Sequence, residues 1–205
     1  MSYYDEVYRS NEYYWGNLPS EMCGKILFYF PPIDKPKVLD IGCGEGKDAI
    51  FLAKCGYEVD AFDLTTSGIS KLESLAKDSG VSLNANTADL MTYEPQKLYD
   101  VIYCSGALHY IKPHLLEVVL AKYKACVKLN GIVAFNVFVK KPFIDPSPEN
   151  EEAYLWNSGQ LLSFFSDWLV EEFSETIIDC NSSNIAHKHA LNFLFARNIS
   201  NSTVF

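Results

Sequence analysis

The chain has 205 residues, a formal net charge of −9, 48% hydrophobic and 21% charged residues, the balance of a folded domain with a substantial core. Its only arginines are Arg9 and Arg197, and its one basic doublet is Lys140-Lys141; without clustered cations to displace phosphate counterions, no nucleic-acid partner is expected and a small-molecule partner is favoured. No apolar run reaches membrane-span length, no export signal is present, and Cys23, Cys43, Cys55, Cys104, Cys126 and Cys180 form no C-x-x-C pair, which leads to an expected cytoplasmic protein with free thiols and no membrane partner.

Met1 to Asp34 is an aromatic arm carrying Tyr3, Tyr4, Tyr8, Tyr13, Tyr14 and Trp15. It reads either as packing over one face of the core or as a lid whose Tyr14 and Trp15 cover a ligand. Gly16 to Ser20 is a turn, and Ser20 is placed to cap a helix over Glu21–Phe30 that Pro31-Pro32 ends. Lys37–Ile41 reads as a buried strand. Three alternate glycines follow, and Asp48–Lys54 carries Ala49, Ile50, Leu52 and Ala53 at helical spacing. Strand and helix then alternate: strand Tyr57–Phe62 ending in Asp63-Leu64, helix from Thr65 or Thr66 to about Lys77, strand Val81–Thr87, strand Tyr99–Cys104, helix from about Pro113 to Lys128, strand Ile132–Val139. Such alternation implies a parallel sheet with right-handed crossovers. Lys140–Glu152, with Pro142, Pro146 and Pro148, is an exposed loop. Gly159–Trp168 is a helix, Val170–Asp179 and His189–Arg197 are the closing strands, and the tail from Asn198 is expected to fray.

The strand, glycine turn and helix at 37–54 organise the rest. Glycines let a ligand lie on the backbone, and the helix presents free N–H groups and a positive end to an acidic ligand group. That is a nucleoside-cofactor site. Its spacing is G-x-G-x-G, with Lys47 where the dinucleotide fingerprint has a third glycine, and Asp40 sits just before the first. Asp63, 17 positions after Gly46, stands at a strand's carboxyl end, where ligands bind in such sheets. It can accept both ribose hydroxyls or serve as a helix cap, and Thr65 and Thr66 already supply caps. An acid here also suits a nicotinamide cofactor. His187 and His189, at i and i+2, share one strand face. They could bind a metal with Cys180 or His109 as third ligand, or donate hydrogen bonds to an anionic or soft acceptor; no resident metal is assigned.

The stretch Leu39-Asp40-Ile41-Gly42-Cys43-Gly44-Glu45-Gly46-Lys47-Asp48-Ala49-Ile50-Phe51-Leu52-Ala53 resembles motif I of the class I S-adenosylmethionine-dependent methyltransferases. With Tyr14-Trp15-Gly16, Gly56-Tyr57-Glu58-Val59-Asp60-Ala61-Phe62-Asp63, Trp168 and the histidine-bearing strand ending in Leu194-Phe195-Ala196-Arg197, the chain from Tyr13 to Arg197 looks like the tellurite-resistance (TehB-type) methyltransferases. The resemblance implies one α/β domain over 1–205: a Rossmann-like, doubly wound, seven-stranded sheet, mostly parallel with an antiparallel last strand and helices on both faces. Residues 1–34 would be the arm, 37–139 the cofactor half and 140–197 the substrate-side half.

The implied cofactor is S-adenosyl-L-methionine, over Gly42, Cys43, Gly44 and Gly46, with Asp40 toward its ammonium. Asp63 and Leu64 would meet the ribose, Asp89 and Leu90 the adenine, Ser105 with Gly106 the methionine arm, and Trp15 would cover the ligand. Lys47, where such relatives carry arginine, could reach the methionine carboxylate or stay exposed, and lacks the bidentate fork. Lys128-Leu129-Asn130-Gly131 resembles the family's turn before strand five, without its Pro and second Gly. His109 and Tyr110, with His187 and His189, would face the methyl acceptor, and His109 is the candidate to take a proton from it. The implied function is methyl transfer to a small molecule, a metalloid oxyanion or thiol-like nucleophile, with rate coming mainly from alignment. The alternatives are a catalytically silent S-adenosylmethionine-binding protein and a nicotinamide-dependent oxidoreductase, the latter disfavoured by Lys47 and by the missing second half of a dinucleotide sheet.

Overall fold

Alternate residues of the short apolar strands go to opposite faces of one sheet, and each face finds helices to bury it. In the computed structural model, which describes residues 3–145, 153–180 and 186–199, the strands are β1 Lys37–Ile41, β2 Glu58–Asp63, β3 Asn84–Thr87, β4 Tyr99–Cys104, β5 Val127–Val139, β6 Leu169–Cys180 and β7 His187–Arg197. Their order is β3-β2-β1-β4-β5-β7-β6. Pairs among β1 to β5 are parallel, and β7 runs antiparallel to both β5 and β6. This is the expected sheet with the expected antiparallel last strand. On one face Val38, Val59, Ala61, Val101 and Tyr103 pack with α2 (Glu21–Tyr29) and α3 (Lys47–Lys54). On the other, Leu39, Ile41, Ile102, Val133 and Phe135 pack with α5 (Leu116–Ala125) and the indole of Trp156. No helix among the described residues is long and apolar enough to cross a membrane.

The arm contains a helix the sequence pattern did not reveal, α1 (Tyr3–Val7), docked on the start of α4 (Thr66–Asp78). Ser67 donates its hydroxyl to the Asp5 carbonyl at 2.8 Å and its N–H to the Asp5 carboxylate at 3.2 Å. Elsewhere the boundaries move for local reasons. The expected helix over 159–168 is only α6 (Gln160–Ser163), because Phe165 and Trp168 turn into the core and Lys124 Nζ takes the Phe164 carbonyl at 2.7 Å. The expected helix from Pro113 opens as a 3-10 turn, and α5 stops at Ala125, where Val127 already pairs with Tyr99. β3 starts at Asn84, since Val81 N–H closes the end of α4 on the Ala76 carbonyl. Asn198 is not frayed: its N–H and carbonyl both bond the 130–131 turn. Pro146 and Pro148 of the expected loop, and the tail from Ser200, lie outside the described residues.

Candidate functional site

The carboxyl ends of the parallel strands open on a cleft of about 1620 Å³, more than the ~300–1,000 Å³ of a single-ligand pocket. One wall is the turn after β1. The N–H groups of Gly42 and Cys43 both donate to the Phe62 carbonyl, at 2.8 and 3.0 Å, which hooks the turn onto the end of β2. Gly42 has φ +68, and a Cβ there would lie 2.4 Å from Ala107 Cβ, so only glycine allows the turn to meet the loop after β4. Gly46 has a different task. Its missing Cβ makes room for Leu72 of α4, at 2.4 Å, and it is not part of the cleft lining. Its conformation and missing Cβ are accounted for by helix packing, beside whatever its backbone offers a ligand.

Asp40 is 2% exposed, and its Oδ2 is a buried oxygen without a hydrogen-bond partner. Burial, then the charge of Asp48, pushes its carboxyl well above the usual range, while Lys47 opposes the shift. Such an atom is costly unless something positive meets it, and it faces the cleft. Asp63 is more occupied than expected. Its Oδ1 accepts Thr65 N–H at 2.8 Å and the Thr65 hydroxyl at 2.6 Å, and its Oδ2 accepts Gly44 N–H at 2.9 Å. A carboxylate has about four lone-pair sites, which leaves room on Oδ2 for one ligand hydroxyl rather than two. Thr65 makes no side-chain cap to α4; its hydroxyl is spent on Asp63. Asp89 and Leu90 line the cleft after β3, Asp89 Oδ1 bracing Met91 N–H at 2.8 Å.

Lys47 neither stands exposed nor reaches away from the turn. It is folded onto Asp48, 2.9 Å from both oxygens. Asp48, only 6% exposed, also accepts Ser20 N–H at 2.7 Å and the Tyr103 hydroxyl at 2.8 Å. Ser20 heads α2 without a side-chain cap; its hydroxyl pairs with Tyr103 Oη at 2.7 Å. Ser105 is held from beneath by Asn136 of β5, whose amide donates to Ser105 Oγ at 3.1 Å and whose carbonyl accepts Gly106 N–H at 2.7 Å.

The arm crosses the top. Trp15 Nε1 donates to Tyr8 Oη at 2.9 Å, and that phenol sits where a Cβ on Gly44 would be 3.1 Å away. Tyr4 meets Tyr110 edge-on at 6.3 Å. Glu45, 3% exposed, ties the arm down: it accepts Tyr14 N–H at 2.8 Å and Lys71 Nζ at 2.6 Å, and Lys71 also reaches the Glu12 carbonyl. Sequence reasoning missed Glu45, Lys71 and Asn136, since each acts on a residue 26 to 31 positions away. The one signal available was Asn136, a polar amide buried inside the apolar strand β5; Glu45 in a turn and Lys71 on a mixed helix gave none.

The opposite wall is made by Phe138 of β5 and the inner face of the β6–β7 hairpin, with Ile178, His189, Leu191 and Phe193. His109 is 2% exposed beside Phe138, with ring centroids 4.6 Å apart. Burial first, then the His189 ring, pushes its pKa down to about 3, so the imidazole is neutral and a poor proton acceptor near neutrality. This burial works against the general-base role expected of His109. His189 lines the cleft, and His187 lies just outside it, its Nε2 2.9 Å from His189 Nε2.

Against known proteins, a family described as "Methyltransferase domain" matches residues 14–178. A ubiquinone biosynthesis O-methyltransferase of Rickettsia canadensis is 30% identical over 122 residues, 58% of this chain and 51% of the relative. A probable S-adenosyl-L-methionine-dependent methyltransferase TehB of Haemophilus influenzae is 22% identical over 160 residues, 75% of this chain and 55% of the relative. The chain spans about half the length of these curated relatives. Among solved structures, TehB from Haemophilus influenzae superposes with TM-score 0.76 at 20% identity, covering 85% of this chain and 62% of that one. A Burkholderia thailandensis 1,6-didemethyltoxoflavin-N1-methyltransferase with bound S-adenosylhomocysteine gives 0.69 at 17% identity, covering 87% and 77%. At such identities these two likenesses speak to the fold.

Proposed function

The chain belongs to the methyltransferase-domain family, and from that premise we propose that it transfers a methyl group from S-adenosylmethionine to a small-molecule acceptor. One observation carries the reading: a buried carboxylate, Asp40, has an oxygen without a partner beneath the glycine turn. The residues present fit the cofactor. Asp40 would take its ammonium, Asp63 Oδ2 one ribose hydroxyl, Asp89 and Leu90 the adenine, and Lys47 at the start of α3 the carboxylate. When bound, the cofactor supplies a methyl carbon already activated by its sulfonium. What remains for this chain is to orient, to exclude water and to hold an acceptor in line. Tyr4, Tyr8 and Trp15 would exclude water from above. Gly42 and the Asn136-braced Ser105 loop would fix the ligand from below.

For the acceptor we propose a thiol-like nucleophile rather than a metalloid oxyanion. The far wall is apolar around a neutral imidazole, Lys25 is tied to Glu172, Lys47 would be shared between Asp48 and the cofactor's own carboxylate, and Lys112 stands exposed at the rim. A net charge of −9 also repels anions. The test is calorimetry with S-adenosylhomocysteine, then transfer of labelled methyl to a panel of thiols, phenols, selenite and tellurite. Methylated thiol is expected; tight cofactor binding with no product from any acceptor would replace the reading with a silent binding protein.

A further inference from the structure

We propose that the mouth of the cleft holds a tetrahedral transition-metal site of zinc type, formed by Cys180, His187 and His189. The antiparallel register places Cys180 directly across from His187 and Ile178 across from His189. Since His187 and His189 are two positions apart, all three ligand side chains emerge on one face of the hairpin. Their donor atoms lie within 4.8 Å of one another. The two Nε2 atoms already converge at 2.9 Å, with the rings nearly perpendicular at 89°. Zinc bonds of about 2.0–2.1 Å to nitrogen and 2.3 Å to sulfur set tetrahedral donors roughly 3.3 Å (N to N) and 3.6 Å (S to N) apart. The imidazoles would part by a few tenths of an ångström as the ion replaces the proton between them. His109 is not the third ligand, because the Phe138 ring sits between it and His189, 4.6 and 4.5 Å from their centroids.

One thiolate with two imidazoles suits zinc and other borderline ions rather than magnesium or calcium. Three protein ligands leave a fourth position, as in catalytic zinc sites. Cys180 and His189 line the cleft, so that position opens toward the place the acceptor would occupy. A thiol bound there would lose its proton to solvent and be held as a metal thiolate. That last role rests on the proposed methyl transfer, whereas the metal site does not.

The test is to strip the full chain with chelator under reducing conditions and titrate it with cobalt(II). One equivalent is expected to give intense visible bands and a near-ultraviolet thiolate-to-cobalt band, both bleached by one equivalent of zinc(II). Cys180→Ser should lose the near-ultraviolet band, and His187→Ala or His189→Ala should weaken zinc binding by about ten-fold or more. Circular dichroism checks folding; should a histidine variant unfold, Cys180→Ser, at the end of the sheet's edge strand, keeps the test alive. A weak octahedral spectrum, or a charge-transfer band that survives in Cys180→Ser, overturns the site. S-adenosylhomocysteine calorimetry runs on the same samples, so a chain that binds cobalt but ignores that ligand counts against the methyltransferase reading alone.

Discussion

The two walls of the cleft are built by different means. At the glycine turn, backbone fixes nearly everything: the Phe62 carbonyl holds two N–H groups and Asp63 holds two more. Across the cleft, Phe138, Ile178, Leu191 and Phe193 present side chains only, around the neutral His109. A wall of oriented backbone dipoles and placed carboxylates suits a ligand of one shape and charge pattern. A wall of side chains on a hairpin can be relined residue by residue without disturbing its neighbour. Under the proposed function, this division would let the first wall keep its cofactor while the second is relined for a different acceptor.

The largest effect is expected at the first wall. Gly42→Ala drives a methyl into Ala107 at a left-handed backbone position, and should destabilise the chain by about 3 kcal/mol and abolish S-adenosylhomocysteine binding, read by thermal unfolding and calorimetry. Gly106→Ala is the matched control: φ is +75 but nothing lies within 4 Å, so only the backbone cost of about 1 kcal/mol applies. Equal losses in both would mean the walls do not depend on that close approach.

Next comes Asp40→Asn, expected to weaken S-adenosylhomocysteine binding about 10- to 100-fold, the ~1.5–3 kcal/mol of a hydrogen bond to a charged group. Because the Asp40 pKa is raised in the empty protein, the folded state binds its proton more readily than the unfolded one. Stability of the empty chain therefore falls as pH climbs from the ordinary carboxylate range toward the raised value. Ligand affinity runs the other way and strengthens with pH, as the carboxylate ionises. Both slopes should flatten in Asp40→Asn.

A smaller effect belongs to the arm that spans the two walls. Glu45→Gln weakens the hold on Lys71 and on the Tyr14 N–H, and should speed proteolytic cleavage within residues 1–20 and dissociation of S-adenosylhomocysteine several-fold, with the core transition little changed. An arm that stayed protected would identify it as fixed packing rather than a lid.

These parts differ in how far they could be read in advance. The β1 turn was legible because strand, glycines and helix are contiguous and each residue type answers to a local backbone need. The sheet followed from repeated alternation. Not legible were contacts between distant segments: Asn136 under Ser105, Glu45 on the arm, Cys180 rather than His109 beside His187. The packing role of Gly46 was hidden because a packing glycine and a ligand-binding glycine share one motif spacing. Ser20 and Thr65 misled because a hydroxyl at a helix start can bond a neighbour instead of the helix.

His109 makes the sharpest test of the second wall because it should change activity least. With its pKa pushed from an ordinary 6.5 down to about 3, it carries no charge at the pH of assay and no inflection in the rate profile near neutrality belongs to it. His109→Asn keeps a hydrogen-bonding side chain of smaller size, and its profile should overlay the parent's within about two-fold in rate, far below the ~100-fold minimum expected of a lost general base. The residue speaks instead through stability. The unfolded chain gains a proton on this imidazole below about 6.5 that the folded chain refuses until about 3. Folding therefore weakens as pH falls across that window, and His109→Asn should unfold less steeply in acid. A rate profile that lost an inflection near neutrality in the variant would restore the base and show that acceptor binding, rather than the fold, sets the charge on that ring.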